Sequence, residues 1–176
     1  MSIITLIMTL IVFVLTLLSC ISDVRSMRIA NWYSLAIVGC FVPAWLATPE
    51  LFHSIAQQAG ALGLMFAVTY IMFSYGMMGG GDSKYASALA LWIGLKGLMP
   101  FMFYMALMGG VVGLATLFIR KYKPFKNPPE GSWMEQAQAE KNVVPYGVAI
   151  SFGAWAAFFH TGFVHNQLNE VIKIIH

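Results

Sequence analysis

The sequence predicts an all-α fold, a polytopic membrane helix bundle of about six transmembrane helices, and three observations carry that expectation. Hydrophobic residues make up 59% of the 176 residues and charged residues only 10%. With a mean hydropathy of +0.74, the chain does not fit the composition of a water-exposed surface. The apolar residues are gathered into long runs, most of them near the roughly 20 residues that cross a bilayer as helix. None of these runs shows the alternation of a barrel strand, and in lipid each segment must satisfy its own backbone, which leaves a helix bundle.

The first run, Ile3 to Ile21, is expected as a retained helix. Leu17-Leu18-Ser19-Cys20 loosely imitates the end of a lipoprotein signal, but no Lys or Arg precedes the run as a secretory signal requires. The second run, Trp32 to Ala47, is short and carries Pro43, which is expected to kink it. The third covers Ile55 to Tyr75, the fourth, also short, Tyr85 to Leu95, the fifth Met99 to Ile119 with Pro100 at its start, and the sixth Val143 to Phe163. The whole chain, residues 1–176, reads as a single membrane domain. Its one substantial polar stretch, Arg120 to Asn142, is rich in Pro, Lys, Gln and Glu and is expected as a solvated cytoplasmic linker, with Glu130, Glu135 and Glu140 as an alternative docking point for a basic peptide.

Charge sets the orientation. The first, third and fifth connections carry Arg25, Arg28, Lys84, Arg120, Lys121, Lys123, Lys126 and Lys141, against Lys96 and Lys173 on the other side. Eight against two places the first group in the cytoplasm and both termini outside. The net charge of +3 is small and dispersed, and no basic run carries interleaved aromatics, so no nucleic-acid partner is expected. The two cysteines, Cys20 and Cys40, lack CxxC spacing and read as packing residues rather than a zinc site or disulfide.

Within this apolar chain the aspartates stand out. There are two, Asp23 and Asp82, each where an apolar run meets a polar connection, and ionisable residues at such positions are functional-site hypotheses. Four glycines fall within the six positions Gly76 to Gly81, just before Asp82, a composition that permits sharp turning and close approach of an extended peptide to bare backbone. GxxxxGK[ST] spacing is absent, so a phosphate loop is not indicated. Lys84 either orients a carboxylate or substrate or snorkels to the interface. His53, His160, His165 and His176 fall on the outer side of the expected topology, away from the aspartates, and no metal is expected.

Gly79-Gly80-Gly81-Asp82 matches the GxGD motif of intramembrane-type aspartic proteases, and Lys84 completes the GGGDxK form of type IV prepilin peptidases. Asp23-Val24-Arg25 followed by Ile29-Ala30-Asn31 resembles that family's first catalytic segment, with Ala30 where proline is usual. Val144-Pro145-Tyr146-Gly147-Val148-Ala149 is similar to the segment that begins its last helix. The resemblance implies a membrane aspartic endopeptidase of the short, peptidase-only form found with Tad/Flp pilus systems, without methyltransferase activity. It implies Asp23 and Asp82 as catalytic residues, and Gly79, Gly80, Gly81 and Lys84 as substrate-binding residues. The substrates implied are prepilins and pseudopilins cut after a short basic leader at the cytoplasmic edge of the membrane, with no cofactor. Two carboxyl groups held together share one proton and titrate as a unit, the charged partner activating water. Gly109 and Gly113, at GxxxG spacing, suit close packing within the bundle or the face of a homo-oligomer. The competing classes are a small transporter with proton-relay aspartates and a non-catalytic pilus-assembly protein.

Overall fold

A computed structural model describes residues 3–52, 54–141, 143–165 and 167. It is a bundle of α-helices with no strand among the described residues: α1 (Ile3–Ser26), α2 (Asn31–Ala47), α3 (Ile55–Ser74), α4 (Gly80–Tyr122), α5 (Trp133–Gln138) and α6 (Tyr146–His160). Three helices, α1, α3 and α4, are long and apolar enough to cross a membrane, and α2 is a shorter apolar helix. At a rise of about 1.5 Å per residue, the 24 residues of α1 exceed the roughly 30 Å hydrocarbon thickness. His53, Lys173 and His176 lie outside the described residues.

The helix α4 is two arms. Gly94 interrupts it with φ 72° and ψ 172°, a backbone region essentially reserved for glycine. The side-chain pairings give the direction of each arm. Thr5 bonds Thr48 at 2.7 Å, so α1 and α2 are antiparallel. Asn31 meets Lys84 and the Ile37 carbonyl accepts from Trp92, so α2 and the arm 80–93 run the same way. Asp23 meets Gly147 and Thr16 meets Trp155, so α6 runs against α1. Gly97 lies against Thr161, Gly153 against Met105 and Gly109 against Ala149, so the arm 95–122 runs against α6. The chain therefore reverses at Gly94. The sequence places a connection between Leu95 and Met99; the structure makes the turn one residue before that run ends, because a glycine in this conformation needs no loop.

As a consequence, the C-terminal ends of α1, α3 and α4 and the N-terminal ends of α2, α4 and α6 gather at one end of the bundle. Inside, small and hydroxylated residues such as Thr5, Thr16, Thr69, Ser83, Ser151, Ala61, Ala88 and Ala154 are buried beside a large apolar core that includes Trp92, Phe101, Phe52 and Met65. Outside, Ile7, Leu10, Leu35, Leu46, Phe103 and Leu114 are exposed. Lipid tails are as apolar as leucine, so such helices gain their association from close packing and interhelical hydrogen bonds. Gly153 shows the closeness: a methyl group there would come within 2.8 Å of the Met105 backbone nitrogen. Gly109 packs beside Ala149 of α6, whereas Gly113 faces open space.

The stretch 120–142 is more than a linker. Ser132 caps α5 by accepting from Glu135 N–H, and Trp133 Nε1 donates to Thr116 Oγ1 at 2.9 Å, holding the short helix against the end of α4. Gln138 pairs twice with the Phe125 backbone. Glu135 accepts from Gly131 N–H and Glu140 from Lys123, while Glu130 borders a cleft together with Arg25 and Arg28.

Candidate functional site

Asp82 sits in the first turn of α4, and its Oδ2 accepts from Gly79 N–H at 3.1 Å. This is half of a capping box; Gly79 has no side chain with which to complete the other half. Helix N-termini leave backbone N–H groups without helical partners and carry partial positive charge, so a carboxylate is well placed there.

Asp23 lies near the end of α1 and is buried. Its Oδ2 accepts from Gly147 N–H at 2.7 Å, the second residue of α6. Each aspartate is thus held by a backbone N–H at a helix N-terminus, Asp82 at its own and Asp23 at one contributed from 124 residues away. Both carboxyl groups lie at the same end of the bundle.

The connection 27–30 links them. Met27 takes φ 52°, and its N–H donates to the Asp23 carbonyl at 2.7 Å, ending α1 in a left-handed cap. The chain then turns back, Ser22 Oγ donating to the Arg28 carbonyl at 3.0 Å. Ile29 packs between two glycines. A methyl on Gly81 would meet the Ile29 carbonyl oxygen at 2.8 Å, and one on Gly147 would meet Ile29 Cδ1 at 2.7 Å and Asp23 Oδ2 at 2.9 Å. Ala30 precedes α2 with φ −68° and ψ 138°, the extended conformation that proline would also adopt.

A cleft of about 550 Å³ opens at this end, lined by Asp82, Gly79, Gly81, Arg28, Ala30 and Asn31 among others. Asp82 faces it directly, while Asp23 is buried beside Ser22, which also lines it. Of the glycines singled out in the sequence, Gly79 and Gly81 border the cleft, whereas Gly80 faces α3, where a methyl group on it would meet the Phe73 ring at 3.5 Å. Lys84 Nζ donates to Asn31 Oδ1 at 3.4 Å, joining the start of α4 to the start of α2 at the rim. Among the described residues no group of three His, Cys, Asp or Glu is arranged to hold a metal ion. His160 pairs with Tyr104 at the far end of the bundle.

Sequence reasoning quoted Gly147 and Ile29 within motifs but gave neither a role at the site. Gly147 supplies the N–H that holds Asp23, and Ile29 is the spacer between the first turns of α4 and α6. The signal was present in the motif beginning α6, but its purpose depends on a contact that only the folded bundle makes.

The family model described as "Type IV leader peptidase family" matches residues 10–114. A curated relative, the prepilin leader peptidase/N-methyltransferase of Xanthomonas campestris pv. campestris, is 29% identical over 82 residues, which cover 47% of this chain and 23% of that protein. The chain thus spans under a quarter of the length of the curated relative it matches. No solved structure matches.

Proposed function

Because the chain belongs to the type IV leader peptidase family, we propose that it is a membrane aspartic endopeptidase that removes the short basic leader from Flp-like prepilins, with Asp23 and Asp82 as its catalytic pair. The observation that carries this reading is that the chain's two aspartates lie at one end of the bundle, each accepting a backbone N–H from a helix N-terminus, with Asp82 facing a cleft walled by bare glycine backbone.

In this reading an extended leader junction lies along Gly79 and Gly81, whose lack of side chains lets its backbone approach. The pilin's hydrophobic segment stays in the bilayer. One carboxyl group is charged and takes a proton from water as it attacks the scissile carbonyl; the other is protonated and donates toward the developing oxyanion or the leaving amine. Lys84 and Asn31, bonded to each other at the rim, fix the cleft mouth where leader residues pass. The peptidase step is the activity we assign, without methyl transfer.

The test uses the purified full-length protein in lipid, with a prepilin substrate and mass spectrometry of the products. One cut is expected, at the junction between the leader and the hydrophobic segment. Asp23→Asn and Asp82→Asn should each lower the rate by at least about a thousandfold, and the double variant should be no slower than either, as for groups acting as a unit. Full processing by either single variant would sink the aspartic mechanism.

A further inference from the structure

Beneath the carboxyl groups, a buried chain of hydroxyl groups ties α4 to α6 and has no part in the mechanism so far. We propose that Tyr85 and Ser151 are positioning residues for Asp23, holding the first turn of α6 so that Gly147 N–H stays on the Asp23 carboxyl. The catalytic consequence rests on the leader-peptidase reading; the geometry does not.

The hydrogen-bond directions follow from proton counting. Ser151 Oγ lies 2.8 Å from the Gly147 carbonyl and 3.4 Å from that of Thr16. Its single proton goes to the shorter of these, leaving its lone pairs for the Tyr85 hydroxyl at 2.6 Å. Tyr85 therefore donates to Ser151, and Ser151 to Gly147. The Cys20 thiol approaches the same carbonyl at 3.7 Å. Gly147 is thus gripped at its carbonyl by this chain and at its N–H by Asp23. The grip has no slack, since a methyl group on Gly147 would come within 2.9 Å of Asp23 Oδ2.

Burial makes the chain directional in purpose as well. Tyr85 and Ser151 are both fully buried, and a hydroxyl in such a place costs stability unless it is bonded. Other polar pairs in the bundle, Thr5 with Thr48 and Thr69 with Ser83, staple helices together without reaching a carboxyl group. The Tyr85 pair ends on the one residue whose N–H holds Asp23. Tyr85 also stands one helical turn after Asp82, so a single helix presents one aspartate to the cleft and anchors the support of the other.

If the chain positions Asp23, Tyr85→Phe and Ser151→Ala should slow the chemical step and leave substrate binding alone, because neither side chain lines the cleft. The experiment places the full-length protein in lipid nanodiscs, measures kcat and KM on a prepilin substrate, and follows the Gly147 amide by NMR with selectively ¹⁵N-labelled glycine. We expect kcat to fall about tenfold in each variant, the worth of one ordinary hydrogen bond, with KM within twofold and the double variant no slower than the slower single. The Gly147 amide resonance should move in both variants and in Asp23→Asn. An unmoved amide in Tyr85→Phe and Ser151→Ala overturns the proposal whatever the activity, and so does a loss carried by KM. If the parent protein cleaves nothing, the leader-peptidase reading falls, and the amide resonance still decides whether Tyr85 and Ser151 hold Asp23's partner.

Discussion

At the scale of single residues, the glycine run before Asp82 separates into positions with different duties. Gly79 supplies an N–H to Asp82, and a methyl there would meet Asp82 Oδ2 at 2.8 Å. Gly81 must clear a backbone carbonyl, that of Ile29, whereas Gly80 meets an aromatic ring at ordinary contact distance. A GxGD pattern thus has a physical basis in this chain: the middle position tolerates a side chain, Gly81 does not, and one at Gly79 would displace the Asp82 carboxyl group. Gly81→Ala should push the 27–30 connection away from α4 at a cost of about 1–3 kcal/mol, and slow prepilin cleavage at least tenfold, since small misplacements of catalytic groups are costly. Gly80→Ala should keep cleavage within twofold of the parent and melt no lower, because alanine favours the helix. Equal rates for the two variants would contradict this division. The aspartates themselves were legible in the sequence because ionisable residues are rare in such a chain and cannot be lipid-facing filler. Tyr85 and Ser151 were not, since isolated hydroxyls within apolar runs look like any polar residue packed between helices until the runs are brought together.

At the scale of elements, hydropathy located the helical segments well and their turns to within a residue or two, without their conformation. Lys96 and Gly97 mark a break after the fourth run, but the turn itself falls inside that run at Gly94, where only the conformation, φ 72° with ψ 172°, reveals it. Gln58 of α3, buried, presses its amide against this turn, its Oε1 lying 2.6 Å from where a methyl on Gly94 would stand. Gly94→Ala therefore combines a glycine-only backbone region, worth on the order of 1–3 kcal/mol, with a clash on a buried side chain. Its thermal midpoint in detergent or lipid should fall by several degrees. Gly63→Ala in α3, where a methyl meets nothing within 4 Å, should leave the midpoint unchanged or raise it, by helix propensity. A Gly94→Ala variant as stable as the parent would remove the reversal from the account of the fold. The polar stretch 120–142 was under-read for the opposite reason. A six-residue helix such as α5 is too short for periodicity to announce it, and its order comes from a serine cap and one tryptophan bond to α4.

At the scale of the whole molecule, the geometry and the charge pattern bear on each other. The end of the bundle where Asp23, Asp82 and Gly147 meet is also the end bearing Arg25, Arg28, Lys84, Arg120, Lys121, Lys123, Lys126 and Lys141, while Lys96 is near the opposite end, just after the reversal at Gly94. Basic residues flanking helices favour the cytoplasmic side, so the site is expected at the cytoplasmic edge. That placement distinguishes a peptidase acting on a membrane-anchored precursor from a transporter, whose carboxylates belong near the bilayer midplane. Single cysteines at Asn127 and Glu50, both exposed and on opposite ends of the bundle, test it in a background lacking Cys20 and Cys40. A membrane-impermeant maleimide added to intact spheroplasts should label the position-50 variant and reach position 127 only after the membrane is opened. Labelling of both from the same side would separate the charge pattern from the helix directions. The two aspartates would still meet, but the cytoplasmic approach of a prepilin leader to the cleft at Gly79 and Gly81 would no longer stand.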